Sequence, residues 1–196
     1  MALKLRNLDS VTRDFMVKEI QADSATGSVY LSRFLTEKGR EQWSQLLLEA
    51  AQKHDSTWLA EKLVAEDLAV EQYRMTDKNG RERTVKLQPT SLADSEFNRY
   101  YIRGLCQRAI QEGAPAVVSY RAKRVRNAVS PVGQLINPKK LLLDLRSNKG
   151  ETVLDVPSNP NSGISVMLPR QPDTKPAKKT SRKSGTKAGT KASDKK

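Results

Sequence analysis

Ser91 to Gly113, SLADSEFNRYYIRGLCQRAIQEG, carries the clearest helical periodicity of the chain and three of its eight Phe and Tyr residues. At about 100° per residue, Phe97, Tyr101, Ile102, Leu105, Cys106 and Ala109 share one half of a helix. Arg99, Arg103 and Gln107 form a stripe on the opposite side, which predicts an amphipathic helix with that stripe in water. Asp94 or Ser95 is the expected N-cap, because its side-chain oxygen can accept from a first-turn N–H. Gly113, followed by Pro115, is the expected stop. Two residues interrupt the pattern. Asn98 projects into the apolar arc and Arg108 onto its edge. A buried Asn must satisfy several hydrogen-bonding sites, so either a neighbouring loop backbone or a partner or ligand has to meet each of these side chains.

Upstream, Leu8 to Ile20 reads as a helix capped by Asp9 or Ser10, with Val11, Phe15, Met16 and Ile20 inward. Val29 to Leu31 reads as a short extended piece. A second helix is expected from Thr36 to about Gln52, burying Trp43, Leu46, Leu47 and Ala50. A third follows His54, capped by Asp55 or Ser56, with Trp58, Leu59, Leu63 and Val64 apolar. The short link between these two predicts an antiparallel helical hairpin. From Val70 to Leu87 the period changes to that of strands. VEQYRM and RTVKLQ flank Asp77-Lys78-Asn79-Gly80, and Asn-Gly supplies the positive φ angles of a tight β-hairpin turn.

Downstream, Ala116 to Tyr120 is a strand candidate, extended by Arg121, Lys123, Arg124 and Arg126 into a basic ribbon. Charge on both faces places such a ribbon at an edge or outside a sheet. Asn127 to Ile136 reads as a loop. Asn137-Pro138 opens a helix with Leu141, Leu142, Leu143 and Leu145 on its apolar side, ending by Gly150. The apolar island Ile164 to Leu168 either adds a strand or docks in a groove. Residues 170–196 are rich in Lys, Ser, Thr, Gly and Ala without an aromatic residue, a composition that predicts a disordered basic tail. Its spaced lysines resemble the C-terminal tails of DNA-compacting proteins such as linker histones.

The fold class expected is therefore α+β and mainly helical. It comprises a domain of residues 1–169 with a β-hairpin and short strands, followed by the tail 170–196. The 196 residues carry a formal net charge of +13, unevenly spread. Residues 1–98 hold 14 Lys/Arg against 16 Asp/Glu, residues 99–169 hold 11 against 4, and residues 170–196 hold 10 against 2. Such polarity favours a polyanionic partner, nucleic acid ahead of anionic lipid. The single Cys excludes an intrachain disulfide. Met1 to Leu8 carries charges with no apolar run behind them, unlike a signal peptide. No stretch approaches the roughly 20 apolar residues of a membrane span, so no membrane partner and a cytoplasmic location are expected.

Motifs for catalysis or cofactors are sparse. There is no phosphate-binding Gly-rich loop and no nucleophile elbow. One His and one Cys fall short of the usual zinc or iron ligand sets. His54-Asp55-Ser56 contains triad residue types, but neighbours in sequence rarely converge, and a helix cap beside a surface His fits better. Neither enzyme activity nor a cofactor is expected. For nucleic acid the candidates are Arg99 and Arg103 beside Tyr100, the Arg121, Lys123, Arg124 and Arg126 ribbon, and Lys178, Lys179, Arg182, Lys183, Lys187 and Lys191 of the tail. Arg pairs with phosphate oxygens bidentately and Tyr can stack on a base. An ordinary solvated helix face is the competing account of Arg99 and Arg103.

Four blocks carry a resemblance: EFNRYYIRGLCQRAIQEG (Glu96 to Gly113), VSYRAKRV (Val118 to Val125), NPKKLLLDLR (Asn137 to Arg146) and PNSGISVMLP (Pro160 to Pro169). With them the chain resembles a family of small uncharacterised proteins of phage and prophage-like bacterial gene clusters, found among genes for particle assembly. The resemblance brings no catalytic residues. It implies a non-enzymatic virion structural or capsid-associated protein, whose partners are other assembly proteins or further copies of itself. Its location would then be the virion, and it would face packaged DNA. A stand-alone, sequence-nonspecific DNA-binding protein is the alternative.

Overall fold

A computed structural model describes residues 3–86, 88–124, 132–147 and 163–169. In chain order the elements are α1 (Ser10–Thr26), α2 (Glu37–Lys53), α3 (Ser56–Ala65), β1 (Gln72–Thr76), β2 (Glu82–Lys86), α4 (Pro89–Gln111), β3 (Val117–Arg121), β4 (Leu135–Ile136), α5 (Pro138–Arg146) and β5 (Ile164–Met167). The described chain is α+β and mainly helical, with one β-hairpin and one small sheet. The tail 170–196, Arg126 and Gly150 lie outside the described residues.

Local chemistry starts the helices. Asp9 Oδ1 accepts from Thr12 N at 3.0 Å, Thr36 Oγ1 from Gly39 N at 3.1 Å, and Asp55 Oδ1 from Thr57 N and Trp58 N at 2.8 and 3.0 Å. Asn137 Oδ1 accepts from Lys139 N and Lys140 N, with Pro138 at the first position. Each side chain supplies an acceptor to N–H groups that have no partner within their own helix. α4 differs from expectation. It begins at Pro89 rather than after Asp94, and Gln88 caps it without a side-chain bond. Pro89 needs no N–H partner and has its φ pre-set for the first turn.

α4 is the axis of the molecule, ~34 Å long for its 23 residues. α1, α3 and α5 pack along it, and β5 lies across it. Every residue from Glu96 to Cys106 is buried, so the helix has no solvated stripe in that span. Gly104 permits the closest approach: a Cβ there would stand 2.8 Å from both the backbone N and Cγ of Met16. α1 turns Thr12, Met16, Glu19 and Ile20 inward, while Val11, expected inside, is 45% exposed. The reason is visible on α4, which offers α1 cations and an amide as well as apolar surface.

Val29 to Leu31 forms no strand; the Tyr30 carbonyl accepts from Trp43 Nε1 at 3.1 Å instead. Val64 and Leu143, both expected inward, are exposed, and α3 and α5 bury Leu59, Leu63, Leu141, Leu142 and Leu145. The β1–β2 hairpin has the expected antiparallel pairing, but its loop runs from Asp77 to Arg81. Only Gly80 there has a positive φ, 75°; Asn79 does not. Asp77 Oδ1 closes the loop by accepting from Asn79 N and Arg81 N, which removes the need for a second left-handed residue.

The second sheet has the order β4-β3-β5, antiparallel throughout. The island after residue 163 is thus a strand, and Leu135–Ile136, expected in a loop, pairs with Val117 and Val118. A strap from the front of the chain lies over this sheet. Lys4 N donates to Ala122 O, the Tyr120 hydroxyl donates to Lys4 O, and Arg6 N donates to the Tyr120 hydroxyl. Tyr101 joins it to β5, accepting from Asn7 N and donating to Val166 O.

Candidate nucleic-acid interface

Three of the expected phosphate contacts, Arg99, Arg103 and Lys123, and the Tyr100 beside them are occupied inside the protein. Arg103, 1% exposed, forks between two carboxylates of α1. Its Nε donates to Glu19 Oε2 at 2.8 Å, and its two terminal nitrogens donate to Asp23 at 2.5 and 2.8 Å. Gln107 Nε2 donates to Glu19 Oε1 at 3.0 Å, and Arg146 of α5 also donates to both Glu19 oxygens. The Tyr100 hydroxyl donates to Asp23 Oδ2 at 2.9 Å, which takes that ring out of reach of a base. Arg99 donates to Leu145 O at 3.1 Å and lies 3.9 Å from Glu96.

Arg99 and Arg103 are therefore corrections: neither faces water, and neither can neutralise an external phosphate. The physical cause is a complementary stripe. Glu19 and Asp23 at i, i+4 on α1 stand opposite Arg103 and Gln107 at i, i+4 on α4, while Arg99 turns to the Leu145 carbonyl of α5. Lys123 is a third correction. The strand ends at Arg121, the chain bends, and Lys123 Nζ lies 2.5 Å from Asp94 Oδ2. The other Asp94 oxygen accepts from the Ser56 hydroxyl at 2.6 Å. Of the expected basic ribbon, Arg121 is half-buried and Arg124 is exposed. Arg126 and all the tail lysines and arginine lie outside the described residues.

Asn98 and Arg108 both find intramolecular partners. Asn98 Nδ2 donates to Ile164 O of β5 at 2.8 Å, a contact to neighbouring backbone. Arg108 donates to Asp9, Thr12 and Glu112, tying the last turn of α4 to the first turn of α1. Sequence reasoning passed over Glu19, Asp23 and Arg146; the matching carboxylate spacing on α1 was the signal available.

The electrostatics follow the pairing. Burial would raise Glu19, but hydrogen bonds from Arg146, Gln107 and Arg103 outweigh it and hold the carboxyl below its ordinary range. Glu96 goes the other way. Burial pushes it up to about 7 against the pull of Arg99 and Arg103. Burial also pushes the Cys106 thiol up to about 12, which keeps it from acting as a thiolate nucleophile. His54 stacks on Trp58 at 4.3 Å, half-exposed, at the junction of α2 and α3. Among the described residues no group of three or more His, Cys, Asp or Glu is placed to hold a metal ion, and no helix is long and apolar enough to cross a membrane.

No family model matches the chain, and no curated protein or solved structure aligns with it. What remains for a polyanion is cationic surface not already bonded inside. Among the described residues it is spread over the front half (Lys4, Lys18, Arg33, Arg40, Lys53), the hairpin (Arg74, Lys78, Arg81, Lys86), Arg124, and Lys139 and Lys140 of α5.

Proposed function

We propose that the chain is a non-enzymatic structural or assembly protein, associated with a phage virion, whose folded residues make protein–protein contacts and whose 170–196 segment contacts nucleic acid without sequence preference. The observation that supports this reading is the internal use of the folded cations. Arg103, Arg108 and Lys123 are each bonded to carboxylates of the same chain. The largest uncompensated excess, 10 Lys/Arg against 2 Asp/Glu, is then that of residues 170–196. Such a segment binds by counterion release, so its affinity is steeply salt-dependent and blind to sequence. Assembly inside the cell and carriage in the particle follow from this role.

The test is a pull-down of the intact chain and of the 1–169 form, each with and without nuclease. Protein partners that survive nuclease and are captured by both forms support an assembly protein. Loss of every partner on nuclease treatment would leave a stand-alone DNA-binding protein. Undiminished polyanion affinity of the 1–169 form would remove the tail from the account.

A further inference from the structure

The β1–β2 hairpin is a basic island in an otherwise acidic front. Residues 71–86 hold five Lys/Arg against three Asp/Glu, whereas residues 1–70 hold nine against eleven. Pairing sets Gln72 opposite Lys86, Arg74 opposite Thr84 and Thr76 opposite Glu82 on one face, and all six are exposed. The other face carries Tyr73, Met75 and Val85, half-buried, with Tyr73 edge-on to Phe34 at 4.9 Å. The tip adds exposed Lys78 and Arg81. Asp77 offsets part of this charge: its Oδ1 closes the turn, and its Oδ2 stands 4.0 Å from Arg83, which lies on the other face.

The occupant is set by charge and shape. A lone two-stranded sheet is marginal in water, and this one is braced by the body on one side only. Two strands about 4.8 Å apart, with their side chains, fit a B-form major groove about 12 Å wide. Arg and Lys reach phosphates at its rims, while Gln72, Thr76 and Thr84 present hydrogen-bonding groups toward base edges. The outward face has no aromatic side chain, the platform that single-stranded nucleic acid requires. The deep, narrow major groove of A-form RNA does not admit such a ribbon.

We propose that this ribbon is a second nucleic-acid contact, laid by its Arg74–Thr84 face into the major groove of duplex DNA. It rests on the reading that the chain binds nucleic acid, and adds a folded, duplex-selective site to the tail. The test uses the full chain, a mixed-sequence DNA duplex and the RNA duplex of the same sequence, titrated over a range of salt. The intact protein is expected to prefer the DNA. Combining Arg74→Gln, Arg81→Gln and Lys86→Gln is expected to weaken DNA binding about thirtyfold at low salt and flatten the log–log salt slope by about 2 to 3, leaving RNA affinity within about twofold. Glu82→Gln is expected to tighten DNA binding about threefold by removing a carboxylate from the same face, a gain that unfolding cannot produce. Equal DNA and RNA affinities, unmoved by either variant, would discard the ribbon and leave the tail reading standing. No binding of either duplex by the intact chain would discard both. A triple variant that keeps its DNA affinity but loses a protein partner would make the ribbon a protein dock instead, overturning the proposal.

Discussion

Arginine stands on both α4 and the β1–β2 ribbon, and its surroundings differ in kind. On α4, Arg103 is enclosed and meets Glu19 and Asp23. On the ribbon, Arg74 and Arg81 are exposed. The first arrangement removes charge from water and therefore requires a partner for every donor. The second leaves the charge hydrated, where it contributes little to stability and is available to an outside anion. A cation's spacing along its own element thus says less about its role than what the rest of the chain brings opposite it.

The largest effect expected lies at the enclosed end of this contrast. Arg103→Met would take the forked donor from Glu19 and Asp23, leaving Gln107 and Arg146 on the first and Tyr100 on the second, and lower unfolding free energy by about 3 kcal/mol in urea titration. A loss under about 1 kcal/mol would mean that water reaches those carboxylates, and the contrast between the two regions would collapse. Next comes the α1–α4 approach. Gly104→Ala places a Cβ against the backbone of Met16 and is expected to cost about 2 kcal/mol net, despite the better helix propensity of Ala.

A pH series sharpens the comparison further. Burial lifts the folded pKa of Glu96 to about 7 from an ordinary 4.5, so over that window the folded chain holds a proton the unfolded chain has released. Its contribution is complete below 4.5 and is lost as pH rises through about 7, a decline on the order of 3 kcal/mol. Glu96→Gln should flatten that decline. Glu19 has the opposite sign: its depressed pKa makes stability fall as pH drops below the ordinary carboxylate range. The smallest effect belongs to the ribbon. Combining Arg74→Gln, Arg81→Gln and Lys86→Gln should shift stability by no more than about 0.5 kcal/mol, since those side chains lie in water. A larger drop would show that the ribbon cations hold the fold rather than await a partner.

What could be read before the coordinates were local. The caps Asp9, Asp55 and Asn137 act within three residues of themselves, so their sequence signatures sufficed. The hairpin was legible for the same reason, because pairing and turn lie within one short stretch. The stripe of Arg99, Arg103 and Gln107 was misread because its counterpart, Glu19, lies 84 residues from Arg103. An amphipathic pattern alone cannot distinguish water from a distant carboxylate pair. Val11 failed in the same way: helix α1 turns polar Thr12 inward to meet Arg108. The candidate cations of the tail lie outside the described residues, and Lys123 was misassigned because the strand expected to carry it outward ends two residues sooner.

Asn7 and Leu168 lie side by side, the Leu168 amide donating to Asn7 Oδ1 at 3.0 Å. Damage to the front strap would therefore register at β5. Clipping the first seven residues would strip β5 of one of its supports. A probe attached near Asn7 would, by the same adjacency, report on events at β5.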